Sequence, residues 1–128
     1  MTIGLLEDNP AILDYLTVSL EMAGHKVYSH TLGSSLIETL LSGTAARHPL
    51  PYDLMIVDLL LPGNISGLQA LKHIQEVIPP RQLPAIIISA GSQQEIEYVE
   101  TNLPDVPVLR KPFKMSTLLQ LIDGLKVS

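Results

Sequence analysis

Five side chains of complementary chemistry stand directly behind short apolar runs. Glu7 and Asp8 follow Thr2-Ile3-Gly4-Leu5-Leu6, Asp58 follows Leu54-Met55-Ile56-Val57, Ser89 follows Ala85-Ile86-Ile87-Ile88, and Lys111 follows Pro107-Val108-Leu109-Arg110. If they converge, three carboxylates crowd together and raise one another's pKa unless a cation sits among them. A hard, oxygen-seeking Mg²⁺ answers that need, because it takes one or two carboxylates and keeps waters that a phosphate can replace. Lys111 is then a point charge for one phosphoryl oxygen, Ser89 a hydrogen-bond donor to another, and Asp58 the carboxylate left to act as nucleophile. Singly, each residue has a plainer reading: Glu7-Asp8 as an acidic helix start, Asp58 as a loop opener, Ser89 as a strand-end hydroxyl, Lys111 as a solvated lysine. Only convergence promotes them.

Convergence needs a chain that alternates strand and helix, and the apolar pattern predicts one. Thr2 to Leu6 reads as a buried strand, Asn9 as an N-cap and Pro10 as a first helical residue. Ile12, Leu13, Leu16 and Leu20 recur at helical spacing, and Gly24 suits a left-handed helix end. Lys26 to His30 is a second strand. Ser35 and Glu38 form a capping box for a helix carrying Leu36, Ile37, Leu40 and Leu41 that ends near Gly43. Thr44 to Tyr52 is expected to be the longest loop, on the surface.

Between Asp53 and Asp58 lie four apolar residues, two of them β-branched, as in a central strand buried on both faces; Pro62-Gly63 then turns the chain. Ser66 and Gln69 cap a third helix with Leu68, Leu71, Ile74 and Ile78 inward, closed by Pro79-Pro80. A fourth strand runs from Pro84 to Gly91, and Ser92 with Glu95 opens a helix to about Leu103. Pro107 to Lys111 is a short fifth strand, and Met115 to Lys126 a last helix striped by Leu118, Leu119, Ile122 and Leu125. Alternation of this kind predicts a doubly wound α/β domain, a parallel sheet with helices on both faces. The carboxyl ends of its strands form the edge where ligands bind.

Composition narrows the function classes. A chain of 128 residues is one ordinary domain. Its mean hydropathy of +0.30 is high, yet no apolar run approaches the roughly 20 residues a bilayer span needs. The net charge of −5 opposes direct nucleic-acid binding, which depends on a basic surface. The absence of cysteine rules out disulfides and thiolate metal sites. With no export segment behind Met1, the expectation is a cytoplasmic protein. His25, His30, His48 and His73 show no ligand spacing and read as surface residues.

Glu7-Asp8, Asp58 with Pro62 four residues on, Ser89-Ala90 and Lys111-Pro112-Phe113 together resemble the receiver domain of bacterial two-component response regulators, the single-domain chemotaxis type in particular. The resemblance covers nearly the whole chain and implies a single receiver domain over residues 1–128. It also implies a flavodoxin-like three-layer sandwich of five parallel strands, in the order 2-1-3-4-5, and five helices. Asp58 would accept a phosphoryl group from a sensor histidine kinase or a histidine phosphotransfer protein. Glu7, Asp8, Asp58 and the backbone carbonyl of Leu60 would place Mg²⁺. Ser89 and Lys111 would bind the phosphoryl group and report it to the face of helix four, strand five and helix five, where an effector protein or a second copy would dock. Catalysis would go no further than the domain's own aspartyl phosphorylation and dephosphorylation, and neither membrane nor nucleic acid is an expected partner.

Departures from the family pattern are specific. The aromatic residue common two or three positions before the lysine is replaced by Leu109 and Val108, so signalling is expected to use loop and helix displacement. The segment from Asp58 to Gly67 is one residue longer than usual, Lys114 is a poor N-cap, and Glu7 stands in place of an aspartate. A non-phosphorylated pseudo-receiver that serves only as an interaction module is the alternative reading. A flavin carrier is disfavoured because Glu7-Asp8 would repel the flavin phosphate, and an aspartyl phosphatase because Leu60 stands where a second aspartate is wanted.

Overall fold

The third apolar run, buried along its whole length, forms the middle of the sheet in the computed structural model, which describes residues 1–59 and 67–126. In chain order the elements are β1 (Thr2–Leu6), α1 (Pro10–Met22), β2 (Lys26–His30), α2 (Gly33–Leu40), β3 (Leu41–Ser42), β4 (Ala45–Ala46) and β5 (Leu54–Asp58). They continue with α3 (Gly67–Val77), β6 (Ala85–Ser89), α4 (Gln93–Asn102), β7 (Val108–Arg110) and α5 (Met115–Lys126). Five strands pair in parallel in the order β2-β1-β5-β6-β7, which is 2-1-3-4-5 when only the strands of this sheet are counted. The expected doubly wound flavodoxin-like sandwich is the observed fold.

Strand periodicity explains the two layers of core. Side chains alternate across a strand, so Ile3, Leu5, Leu54, Ile56, Ile86 and Ile88 face one side, with Leu16 and Leu20 of α1 and Leu118 and Ile122 of α5. Met55, Val57, Ala85 and Ile87 face the other, with Leu36 and Leu40 of α2, Leu71 and Ile74 of α3, and Val99 of α4. Gly4 interrupts β1 for a steric reason: a Cβ there would enter the ring of Tyr52.

Capping at α1 follows the sequence. Asn9 accepts from the amides of Ala11 (3.0 Å) and Ile12 (3.2 Å), with Pro10 opening the helix, and Gly24 takes φ +95° after it. At α4, Ser92 Oγ accepts from Glu95 N at 3.2 Å. The second helix departs from expectation. It starts at Gly33 with Leu32 at the cap and no side-chain cap bond, because the Ser35 hydroxyl is engaged 2.8 Å from His30 Nδ1. Leu41 leaves the helix and pairs with Ala46 in a small antiparallel hairpin around Gly43, whose φ is +64°. The surface loop expected over 44–52 therefore contains β4 and ends on the buried Tyr52. His25 and His30 are buried rather than on the surface. The expected Ser66 cap and the Pro62-Gly63 turn lie outside the described residues. β7 is shorter than expected by one residue at each end.

Candidate functional site

Parallel strands that end in register bring their next residues to one edge, and that is how this site is built. Glu7 follows β1 and its amide donates to His30 O at 3.0 Å, continuing the β1–β2 ladder. Asp58 is the last residue of β5 and pairs with Ile88 of β6, and Leu59 N donates to Ile88 O at 3.0 Å. Ser89 closes β6, and Lys111 N donates to Ser89 O at 2.7 Å, so the β6–β7 ladder runs one residue beyond Arg110. The Lys111-Pro112 peptide bond is cis.

The side chains meet across this edge. Glu7, Asp8 and Asp58 each offer a carboxylate oxygen, all within 4.8 Å of one another. Glu7, Asp58 and Ser89 are buried, while Asp8 is exposed. Lys111 Nζ lies 3.0 Å from Glu7 Oε2 and 3.4 Å from Asp58 Oδ2. The other Glu7 oxygen accepts from Asn9 N at 3.1 Å, and Ser89 Oγ accepts from Gly91 N at 2.9 Å. The Glu7, Asp8 and Asp58 carboxylates and the Lys111 ammonium are therefore together, and Ser89 closes the neighbouring strand, one residue past the partner of Asp58. Lys111 differs from expectation in its pairing, since its ammonium neutralises the carboxylates themselves. Leu60, whose carbonyl was expected to join the set, lies outside the described residues.

A trio of carboxylates with no nitrogen or sulfur ligand fits a hard divalent cation such as Mg²⁺, which prefers oxygen. Mutual repulsion among the three anions is relieved by Lys111 on one side, and a bound cation would relieve it on the other.

Three positions near the pocket carried no signal in the sequence reading. Gly67, the first residue of α3, abuts the Asp58 backbone, and a Cβ there would overlap the Asp58 carbonyl. Gly91 leaves a space bordered by Ser89 Oγ and the Glu95 carboxylate. Beneath Glu7, His30 places Nε2 2.6 Å from the Tyr52 hydroxyl and Nδ1 2.8 Å from Ser35 Oγ. Burial pushes the His30 pKa below, and the Tyr52 pKa above, the ordinary values. A glycine beside a strand end and a histidine at one were the available hints, but neither shows its contact in one dimension.

Known proteins are similar to this chain in sequence and in fold. Residues 3–123 match the family model described as the response regulator receiver domain. The DNA-binding dual master transcriptional regulator RpaA of Synechocystis sp. is 27% identical over 123 residues, covering 94% of this chain and 47% of that protein. Protein PilH of Pseudomonas aeruginosa is 26% identical over 120 residues, 94% of this chain and 93% of its own length. The chain thus spans about half of RpaA and nearly all of PilH. Among solved structures, the receiver domain of sensor histidine kinase PA1611 from Pseudomonas aeruginosa PAO1, with a magnesium ion in its active-site cleft, superposes with a TM-score of 0.82. That match is at 24% identity over 99% of this chain and 98% of that one.

Proposed function

Because the chain belongs to the response regulator receiver domain family of two-component signalling, we propose that Asp58 is its phosphoacceptor. The observation that carries this reading is the buried Asp58 carboxylate set among Glu7, Asp8 and Lys111, with Lys111 Nζ 3.4 Å away. An Asp58 oxygen attacks the phosphorus of a phosphohistidine, the P–N bond breaks, and the imidazole departs as the aspartyl phosphate forms. Transfer of this kind needs positioning and charge neutralisation more than covalent assistance. Lys111 releases its hold on the carboxylates to meet a phosphoryl oxygen, and the buried Ser89 hydroxyl donates to another. Glu7 and Asp8, with Asp58, would hold Mg²⁺, which when bound neutralises charge on the transferring group. The same residues would accept a phosphoryl group from a small donor, so the domain would assist its own phosphorylation and later hydrolysis.

The partners in this reading are a histidine kinase or phosphotransfer protein as donor and an effector or a second copy as reader. The face of α4, β7 and α5 is the proposed reader surface. Arg110 Nη1 donates to Gln93 Oε1 at 3.3 Å, tying β7 to the first turn of α4. A change at Ser89 or Lys111 therefore has a short path to that face. We take residues 1–128 as one receiver domain acting in the cytoplasm, where a phosphohistidine donor would meet it.

Intact-protein mass after incubation with acetyl phosphate is the test, with and without Mg²⁺ and alongside Asp58→Asn. One phosphoryl adduct is expected, present only with Mg²⁺ and only in the wild type. Undiminished labelling of Asp58→Asn would overturn the assignment. Equal affinity of wild type and Asp58→Ala for a partner would instead favour a pseudo-receiver.

A further inference from the structure

Beyond the five expected side chains, a fourth carboxylate reaches the rim of the pocket. The first turn of α4 is held by Ser92, whose Oγ accepts from Glu95 N at 3.2 Å. That turn sends the Glu95 side chain back over Gly91. A Cβ built on Gly91 would collide with Glu95 Oε2 and lie 2.9 Å from Ser89 Oγ, so the two oxygens flank a single small space. Ser89 Oγ accepts from Gly91 N, which leaves the hydroxyl proton to be donated. Among the described residues, no hydrogen bond or ion pair holds the Glu95 carboxylate in place. It is an anion beside the Ser89 hydroxyl, on a side chain able to move.

We propose that Glu95 is a positioning residue that gates Ser89. With Asp58 unmodified, the Glu95 carboxylate sits across Gly91 from the Ser89 hydroxyl and disfavours a second anion there. A dianionic group on Asp58 expels it, and Ser89 turns to the new acceptor. Expulsion moves a charge on the first turn of α4, so the event is transmitted to that helix without an aromatic residue in β7. The inference rests on Asp58 being the phosphoacceptor, but it adds a residue whose effect is electrostatic and separable.

Beryllium fluoride with Mg²⁺, titrated calorimetrically, is the probe, because it adds a non-hydrolysing anionic group to an aspartate. The proteins are wild type, Glu95→Gln and Glu97→Gln. Glu97 is a charge control on the same helix that hydrogen-bonds only Gln93 among the described residues, at 3.1 Å. The expected result is half-saturation of Glu95→Gln at an about three- to tenfold lower concentration in low salt, as for removal of one repulsive charge several ångströms away. That gain should shrink below about twofold in roughly 0.5 M salt, where the screening length is only a few ångströms. Glu97→Gln should stay near wild type. Unchanged or weaker binding by Glu95→Gln, or an equal gain in Glu97→Gln, would overturn the gate while leaving the phosphoacceptor reading intact. A wild type that takes up no beryllium fluoride would overturn both.

Discussion

Glu7 is the most enclosed charge in the pocket, with no solvent exposure, and its carboxylate depends on two donors: Asn9 N and the Lys111 ammonium. Removing one partner of a buried ion pair leaves an uncompensated charge, a loss of roughly 3–5 kcal/mol in fully enclosed cases. Lys111 keeps some contact with solvent, so Lys111→Met is expected to cost about 3 kcal/mol in metal-free buffer. Urea unfolding with EDTA and then with millimolar Mg²⁺ checks this. Part of the loss should return with Mg²⁺, because a cation bound to Glu7, Asp8 and Asp58 stabilises the folded state by mass action. An equal deficit in both buffers would mean that Lys111 acts only through packing. At this scale the sequence was legible in where the side chains stand, since Glu7, Asp8, Asp58, Ser89 and Lys111 all fall at or just past the carboxyl ends of strands of the sheet. It was silent on Glu95, whose approach to Ser89 depends on a missing side chain at Gly91 and on the turn set by Ser92. It also gave no sign that Lys111 pairs with the carboxylates, since a one-dimensional pattern shows where a charge stands and not which neighbour it meets.

Between elements, the tightest joint near the site is where α3 begins against the end of β5. Gly67 meets the Asp58 carbonyl so closely that a methyl group would overlap backbone atoms, which cannot rotate away as a side chain could. Gly67→Ala is therefore expected to shift the first turn of α3 or the end of β5, at about 1–3 kcal/mol, the usual scale of overpacking. Since the crowded atoms belong to the Asp58 backbone, labelling by acetyl phosphate should slow as well, measured by mass at early times. Normal labelling with normal stability would show that the joint has slack. Element types were largely legible from periodicity, and the alternation of strand and helix led to the right layers. The errors came where tertiary contacts compete with local signals. Ser35 and Glu38 have the spacing of a capping box, yet the Ser35 hydroxyl is taken by His30 and the helix begins at Gly33 under an uncapped Leu32. Strands of two residues, such as β3 and β4, are too short to show a period of two, so the hairpin around Gly43 was invisible beforehand.

Across the whole molecule, folding brings β2, α2 and the approach to β5 around one polar knot. His30 ends β2, Ser35 belongs to α2, and Tyr52 precedes β5 while its ring covers Gly4 of β1 and stacks at 6.0 Å on Tyr28. A neutral imidazole serves this knot well, giving one N–H and one lone pair to two hydroxyls that can each donate or accept. A protonated one must donate from both nitrogens, and among the described residues its hydrogen-bond partners are Ser35 and Tyr52, neither of them acidic. Burial accordingly pushes the His30 pKa below its unfolded value of 6.5. The unfolded chain therefore binds the proton first as pH falls. His30 contributes its full stability above pH 6.5, and that contribution declines between 6.5 and the lower folded pKa. Within that window the slope is at most about 1.4 kcal/mol per pH unit, the limit for one proton. Urea unfolding of wild type and His30→Gln across pH 5 to 8 separates this histidine from other titrating groups, because those are common to both proteins. The difference in unfolding free energy should favour wild type most at pH 8 and narrow as the solution is acidified. A difference that stays constant with pH would mean that His30 titrates alike folded and unfolded, and that the knot holds the sheet edge by hydrogen bonds indifferent to its charge.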